Sequence, residues 1–105
     1  MVSIIQNARS YRADRSWGAR DIAEIEGASV RLHWTDSGYQ WHANSGDEVF
    51  MVVDGEVVMH YREDGEEKLV SLKPGDMIVA VEGDEHRAEP VGEARVLVIE
   101  RKGTI

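Results

Sequence analysis

Cysteine is absent from the chain, so neither disulfides nor thiolates hold the fold, and any metal site must be built from nitrogen and oxygen donors. Long apolar runs are missing too. The longest, Val49–Val53 and Met77–Val81, have the length of strands and fall far short of the ~20 residues that a spanning helix needs. Met1 to Ser10 lack a basic start followed by an apolar stretch, which argues against a secretory signal and makes a cytoplasmic address the expectation. Basic residues are in deficit: 12 Lys and Arg against 20 Asp and Glu leave a net charge of −8, a sign that repels phosphate backbones. Nucleic acid and membrane are therefore not expected partners. Most of the acidity lies after Arg31, where seven basic residues face sixteen acidic ones, as on a solvated rim of hairpin loops. Internal repeats, linkers and low-complexity segments are also lacking.

What is present reads as one small all-β domain. A chain of 105 residues builds a single core, and 42% hydrophobic with 30% charged residues is ordinary for a folded protein. Val30–Thr35, Val49–Val53, Val57–Tyr61, Leu69–Leu72, Met77–Val81 and Arg95–Glu100 are rich in β-branched and aromatic residues and are predicted strands. Asp54-Gly55 and Asp64-Gly65 between successive strands are two-residue hairpin signals, Lys73-Pro74-Gly75-Asp76 is a tight turn, and Glu82-Gly83-Asp84 breaks the chain ahead of His86. A helical turn or two is expected only within Asn7–Arg15. Several short strands at this spacing predict a sandwich or barrel. We divide the chain into an N-terminal extension, 1–25, and a barrel, 26–105.

The strand at Val49–Val53 is apolar on both faces, since Val49, Met51 and Val53 alternate with Phe50 and Val52. One set fills the barrel; the other needs a cover. A second subunit is the expected cover, giving a homodimer, and the alternative is the N-terminal segment with Ile4, Ile5, Tyr11 and Trp17.

Chemistry concentrates in two places. In Tyr39–Glu48, strand alternation would point Gln40, His42 and Asn44 into one cavity, with Glu48 returning at the head of the next strand on the face of Phe50. In Gly75–His86, a strand and a glycine turn lead to a histidine. If the two segments are neighbours, His86 meets His42 and Glu48. His33 and His60 lie outside these segments and read as surface or hydrogen-bonded residues, and Trp17, Trp34 and Trp41 read as packing. Only Arg31 and Arg87 are near enough to recognise a phosphate, and Arg87, next to His86, should face away. An uncharged or apolar ligand fits better.

The spacing of these residues resembles the cupin superfamily. His42, Glu48 and Gly55 match its first motif, and Gly75, Gly83 and His86 match its second, with nineteen residues from Glu56 to Pro74 between them. Asn44 stands where the first motif has its second histidine, and Val81 and Pro90 replace the Pro and Asn of the second. The chain from Trp17 to Gly103-Thr104 also resembles small stand-alone cupins described by fold as mannose-6-phosphate-isomerase-like. The resemblance implies a jelly-roll (double-stranded β-helix) barrel with a divalent transition metal, Fe, Mn, Ni, Zn or Cu, held by His42, Asn44, Glu48 and His86. Asn44 offers only a neutral amide oxygen, a poorer donor than imidazole for these ions. Gln40 and Phe50 would line the ligand pocket. The implied activities are isomerase, epimerase or oxygenase chemistry on a small molecule; the alternative is a non-catalytic binding or sensing protein whose metal site has degenerated.

Overall fold

Short β-branched runs separated by Gly and Asp do form strands, and they stack as two antiparallel sheets. The computed structural model describes residues 1–102; Gly103 and Thr104 of the family resemblance lie outside that range. A 3-10 turn at Ala8–Ser10 precedes β1 (Gly18–Ile25), β2 (Ala28–Thr35), β3 (His42–Ala43), β4 (Glu48–Asp54), β5 (Val57–Glu63), β6 (Glu66–Leu72), β7 (Met77–Ala80), β8 (Glu85–Pro90) and β9 (Ala94–Arg101). One sheet has the order β1-β2-β9-β4-β7 and the other β3-β8-β5-β6. This crossing of the chain between two sheets is the jelly-roll arrangement.

The core lies between the sheets. Phe50 and Val52 of β4 and Val96 and Val98 of β9 face Val57 and Met59 of β5, with Leu72 and Ala88 completing the cluster. Val52, Val57, Met59 and Val96 are fully buried, each worth about 1.5–3 kcal/mol of apolar transfer.

The other face of the five-stranded sheet is covered in part by the chain's own N-terminal segment. The 3-10 turn contacts β4 and β9. Arg95 Nε donates to the Tyr11 carbonyl at 2.7 Å, and the Arg12 guanidinium lies 5.1 Å from the Trp34 ring centroid. Trp34 is buried there and donates from Nε1 to Glu93 at 2.8 Å. Farther across the sheet Met77 and Val79 stay 53% and 64% exposed, so the cover is incomplete.

Two local expectations change and two hold. Residues 18–25, assigned to the N-terminal extension, form the edge strand β1 and pair along β2. Asp54-Gly55 does not close a hairpin, because β4 and β5 belong to different sheets; the turn carries the chain across the sandwich. Asp64-Gly65 does close one, with Glu63 opposite Glu66 and both turn residues at positive φ. Of Asn7–Arg15, only Ala8–Ser10 is helical.

Candidate metal centre

Two backbone features bring the histidines together. β3 pairs with β8 so that His42 lies opposite His86, and just beyond it the Asn44 N–H donates to Asp84 O (2.9 Å) while the Gly83 N–H donates to Asn44 O (2.8 Å). Glu48, the first residue of β4, reaches the same point from the facing sheet. One ligating atom from each of His42, Glu48 and His86 falls within 4.8 Å of the others, and the two imidazole centroids are 4.4 Å apart. His86 and Glu48 are buried, whereas His42 is half-buried at the cavity wall.

Asn44 is buried among them. Its Nδ2 donates to Glu48 Oε1 (3.3 Å) and to the Gly46 carbonyl (3.2 Å), which turns Oδ1 toward His86 Nε2 at 2.6 Å. His86 Nε2 is also 3.2 Å from Glu48 Oε1. Facing two oxygen acceptors, Nε2 carries a proton in this state, while the buried Nδ1 has no partner. The His42 ring has the opposite tautomer: its Nδ1 is 3.2 Å from the Gln40 carbonyl, which can only accept, so Nε2 keeps its lone pair.

The donor set fits a divalent transition ion. Neighbouring ligands on such an ion are roughly 3.0–3.4 Å apart at bond lengths of about 2.0–2.2 Å, and the His86–Glu48 separation of 3.2 Å matches. An ion on His86 Nε2 would need the ring's other tautomer, with the proton moved to the unpartnered Nδ1. Two imidazoles and one carboxylate form the facial set that leaves open positions on Fe(II).

Charge is distributed to favour this. Burial alone would raise the Glu48 carboxyl, but hydrogen bonds from His86 and Asn44 and the fields of both imidazoles hold it below the usual carboxylate range. Across the strand pair from Glu48 sits Glu100. Its carboxyl is pushed up to about 7 by burial and by the Glu48 charge. The pKa of His33, whose Nδ1 donates to the Trp17 carbonyl at 3.0 Å, is lowered mainly by burial.

These groups line a cavity of about 290 Å³ that also exposes Trp17, Tyr39, Phe50 and Val98. Phe50 of β4 is one of its lining residues. Gln40 is exposed and does not line the cavity, because residues 38–41 are outside any strand and the alternation does not carry back from His42. Arg87 does face away, toward Trp41. Arg31, expected near the site, does line the cavity, and His33 and Glu100 join it without having been singled out; alternation along β2 and β9 is the available signal.

Glu100 yields a pH prediction. Its pKa is higher folded than unfolded, so its ionisation opposes folding: it costs nothing below pH 4.5, and stability falls as pH rises to about 7. Full conversion of that shift would be about 3 kcal/mol, and half-exposure reduces it to about 1–2 kcal/mol. Glu100→Gln should therefore stabilise metal-free protein at pH 8 and have little effect at pH 4.5, read by urea denaturation at both. Equal changes at the two pH values would remove this account. Glu48 acts in a separate window: its lowered pKa contributes stability that is lost as pH falls below 4.5.

The cupin-domain family model matches residues 29–100, and the two-sheet topology and the His/Glu/His convergence agree with it. The chain belongs to the cupin family. Among solved structures, this cupin is similar to a cupin-2 domain containing protein from Shewanella frigidimarina (27% identity, 86% of this chain and 85% of that one, TM-score 0.76). It is also similar to a cupin superfamily protein from Desulfitobacterium hafniense (15% identity, 96% and 92%, TM-score 0.77). More distantly it shares its fold with the hydroxypropylphosphonic acid epoxidase of S. wedmorenis (16% identity, 70% and 43%, TM-score 0.62). No curated protein matches the sequence. Among the described residues, no helix is long and apolar enough to cross a membrane.

Proposed function

We propose that this cupin holds a divalent transition metal on His42, Glu48 and His86, with the Asn44 amide oxygen as a weaker fourth donor, and acts on a small molecule in the adjoining cavity. The observation that carries this reading is the gathering of three ligating atoms within 4.8 Å, drawn from both sheets. Such an ion would polarise a substrate oxygen or activate water or dioxygen, which suits an isomerase, epimerase or oxygenase. Glu48 supplies the negative charge, the Gln40 carbonyl holds the His42 tautomer, and Trp17, Tyr39, Phe50 and Val98 keep water from the ligand. The epoxidase that shares the fold has been solved with Fe(II), which supports iron as the first ion to try. Phosphosugar isomerisation has little support: Arg31 is the one cationic side chain of the lining, and its Nε is already bonded to Asp21 at 2.9 Å. Reconstitution with Fe, Mn, Ni, Zn and Cu followed by elemental analysis tests the reading, and occupancy no higher than in a buffer blank for every ion would end it.

One observation favours a second reading, a non-catalytic binding protein. The Asn44 Oδ1 to His86 Nε2 contact of 2.6 Å satisfies that nitrogen without an ion. Ligand binding that survives His42→Ala and His86→Ala, with no turnover in any form, would favour it.

We further propose a cytoplasmic homodimer in which a second copy covers the exposed Met77 and Val79 beside half-buried Val49 and Met51. Val79→Asp should then shift the protein to monomer by sedimentation velocity; a wild-type protein already monomeric at high concentration would refute the dimer.

A further inference from the structure

The ligand with least support from its surroundings is His42. β3 is two residues long, lies at the edge of its sheet and pairs with β8 alone. Neither its length nor a second neighbouring strand fixes it, yet its imidazole must meet His86 and Glu48 to within a few tenths of an ångström if the site is to work.

On the opposite face of the sheet, directly behind the site, a second cluster of side chains supplies the missing hold. Trp41 projects outward while His42 lines the cavity. The Arg62 guanidinium carbon lies 3.9 Å from the Trp41 ring centroid, and that of Arg87 lies 5.8 Å away. The His60 ring meets the indole edge-on at 6.5 Å. Both guanidinium groups are tied down: Arg62 Nη1 to Glu85 at 2.9 Å and Arg87 Nη1 to Glu89 at 3.2 Å. Arg62 and His60 are on β5, two strands from β3, and Arg87 is on β8. The indole therefore reaches over β8 and fastens the edge strand to the middle of the sheet.

Trp41 is also the residue between His42 and the group that sets its ring. The Gln40 carbonyl, on one side, accepts from His42 Nδ1–H at 3.2 Å and so reserves Nε2 for a metal. His42 itself follows on the other side. Any rotation of the backbone at 41 moves carbonyl and ring apart together.

We infer that the Trp41–Arg62 stack, backed by Glu85, is a positioning device that holds His42 in ligating orientation and tautomer. This rests on the reading of His42 as a ligand. Partners of this kind behind a metal-binding histidine typically account for about 10–100-fold in metal affinity.

The test uses full-length protein in two forms. In metal-free protein, ¹⁵N-imidazole spectra should show one Nδ1–H tautomer for His42 in wild type and in Trp41→Phe. Trp41→Ala should show averaged tautomers for His42, with His86 unchanged and the fold intact by circular dichroism. In Co(II) titrations Trp41→Ala should bind about 10–100-fold more weakly, and Trp41→Phe close to wild type. Arg62→Met, which leaves the indole in place, should show the same changes to a smaller degree and decides the matter if Trp41→Ala does not fold. Wild-type His42 signals and wild-type Co(II) affinity in Arg62→Met and in every Trp41 variant that folds would overturn the inference. Failure of wild type to take up Co(II) or any of Fe, Mn, Ni, Zn and Cu, with the metal-free spectra still responding, would defeat the metal reading and leave the positioning device standing.

Discussion

His86→Ala is expected to weaken divalent metal binding at least 100-fold, about 2.7 kcal/mol, while Asn44→His strengthens it about 10–100-fold. His86 is the most buried of the three ligands and stands 3.2 Å from Glu48 Oε1, so its removal leaves His42 and Glu48 facing an open gap. Asn44 is the informative partner. Its Oδ1 already lies 2.6 Å from His86 Nε2, and its Nδ2 spends the rest of the amide on Glu48 and Gly46. An imidazole at 44 replaces a neutral hard oxygen with a nitrogen donor suited to Fe, Ni, Cu and Zn, and it removes the acceptor that holds the proton on His86. Chelator competition with Zn(II) measures both variants. If Asn44→His bound no more tightly than wild type, residue 44 would not occupy a ligand position. Unchanged affinity in His86→Ala would dissolve the site.

Much of this site was readable because its signal is local. His42, Asn44 and Glu48 lie within seven consecutive residues, and the turn chemistry around Gly75 and Gly83 places His86 at the head of a strand. The opposite wall of the cavity was not readable in the same way. Glu100 joins it only because β9 pairs with β4, setting Glu100 beside Glu48 across half the chain. β2 is harder still. Val30, Leu32 and Trp34 form its apolar face, which ordinary patterning would turn toward the core. They turn outward instead, beneath the N-terminal segment in the case of Trp34, while Arg31 and His33 line the cavity. A covering segment reverses the inside-outside rule, and nothing in β2 itself announces the cover. β1 went unread for a related reason: as an edge strand with Arg20, Asp21, Ala23 and Glu24 exposed, it has no continuous apolar face. The Asp54-Gly55 signal correctly marked a reversal, but turn residues report local backbone shape and not which sheet the next strand joins.

Gly55→Ala is expected to destabilise the protein by about 2–5 kcal/mol, a fall in Tm of roughly 10–30 °C for a domain of this size. Two costs combine. Gly55 has φ +83°, where an L side chain is strained by about 1–2 kcal/mol. A Cβ at 55 would also sit 2.4 Å from the Glu93 carbonyl oxygen and 3.0 Å from Ala94 Cα. Both are backbone atoms, and Ala94 is fully buried in the core, so neither can swing aside as a flexible side chain would. The glycine exists to let the β4–β5 crossing pass against the start of β9. Gly65→Ala provides the control: at φ +77° it carries the same conformational strain, but nothing lies within 4 Å of its Cβ position, so it should cost only about 1–2 kcal/mol. Thermal melts of the two metal-free variants separate the terms. A Gly55→Ala melt within a degree or two of Gly65→Ala would mean that the Glu93 carbonyl yields, and that the family glycine at 55 is required for backbone conformation alone.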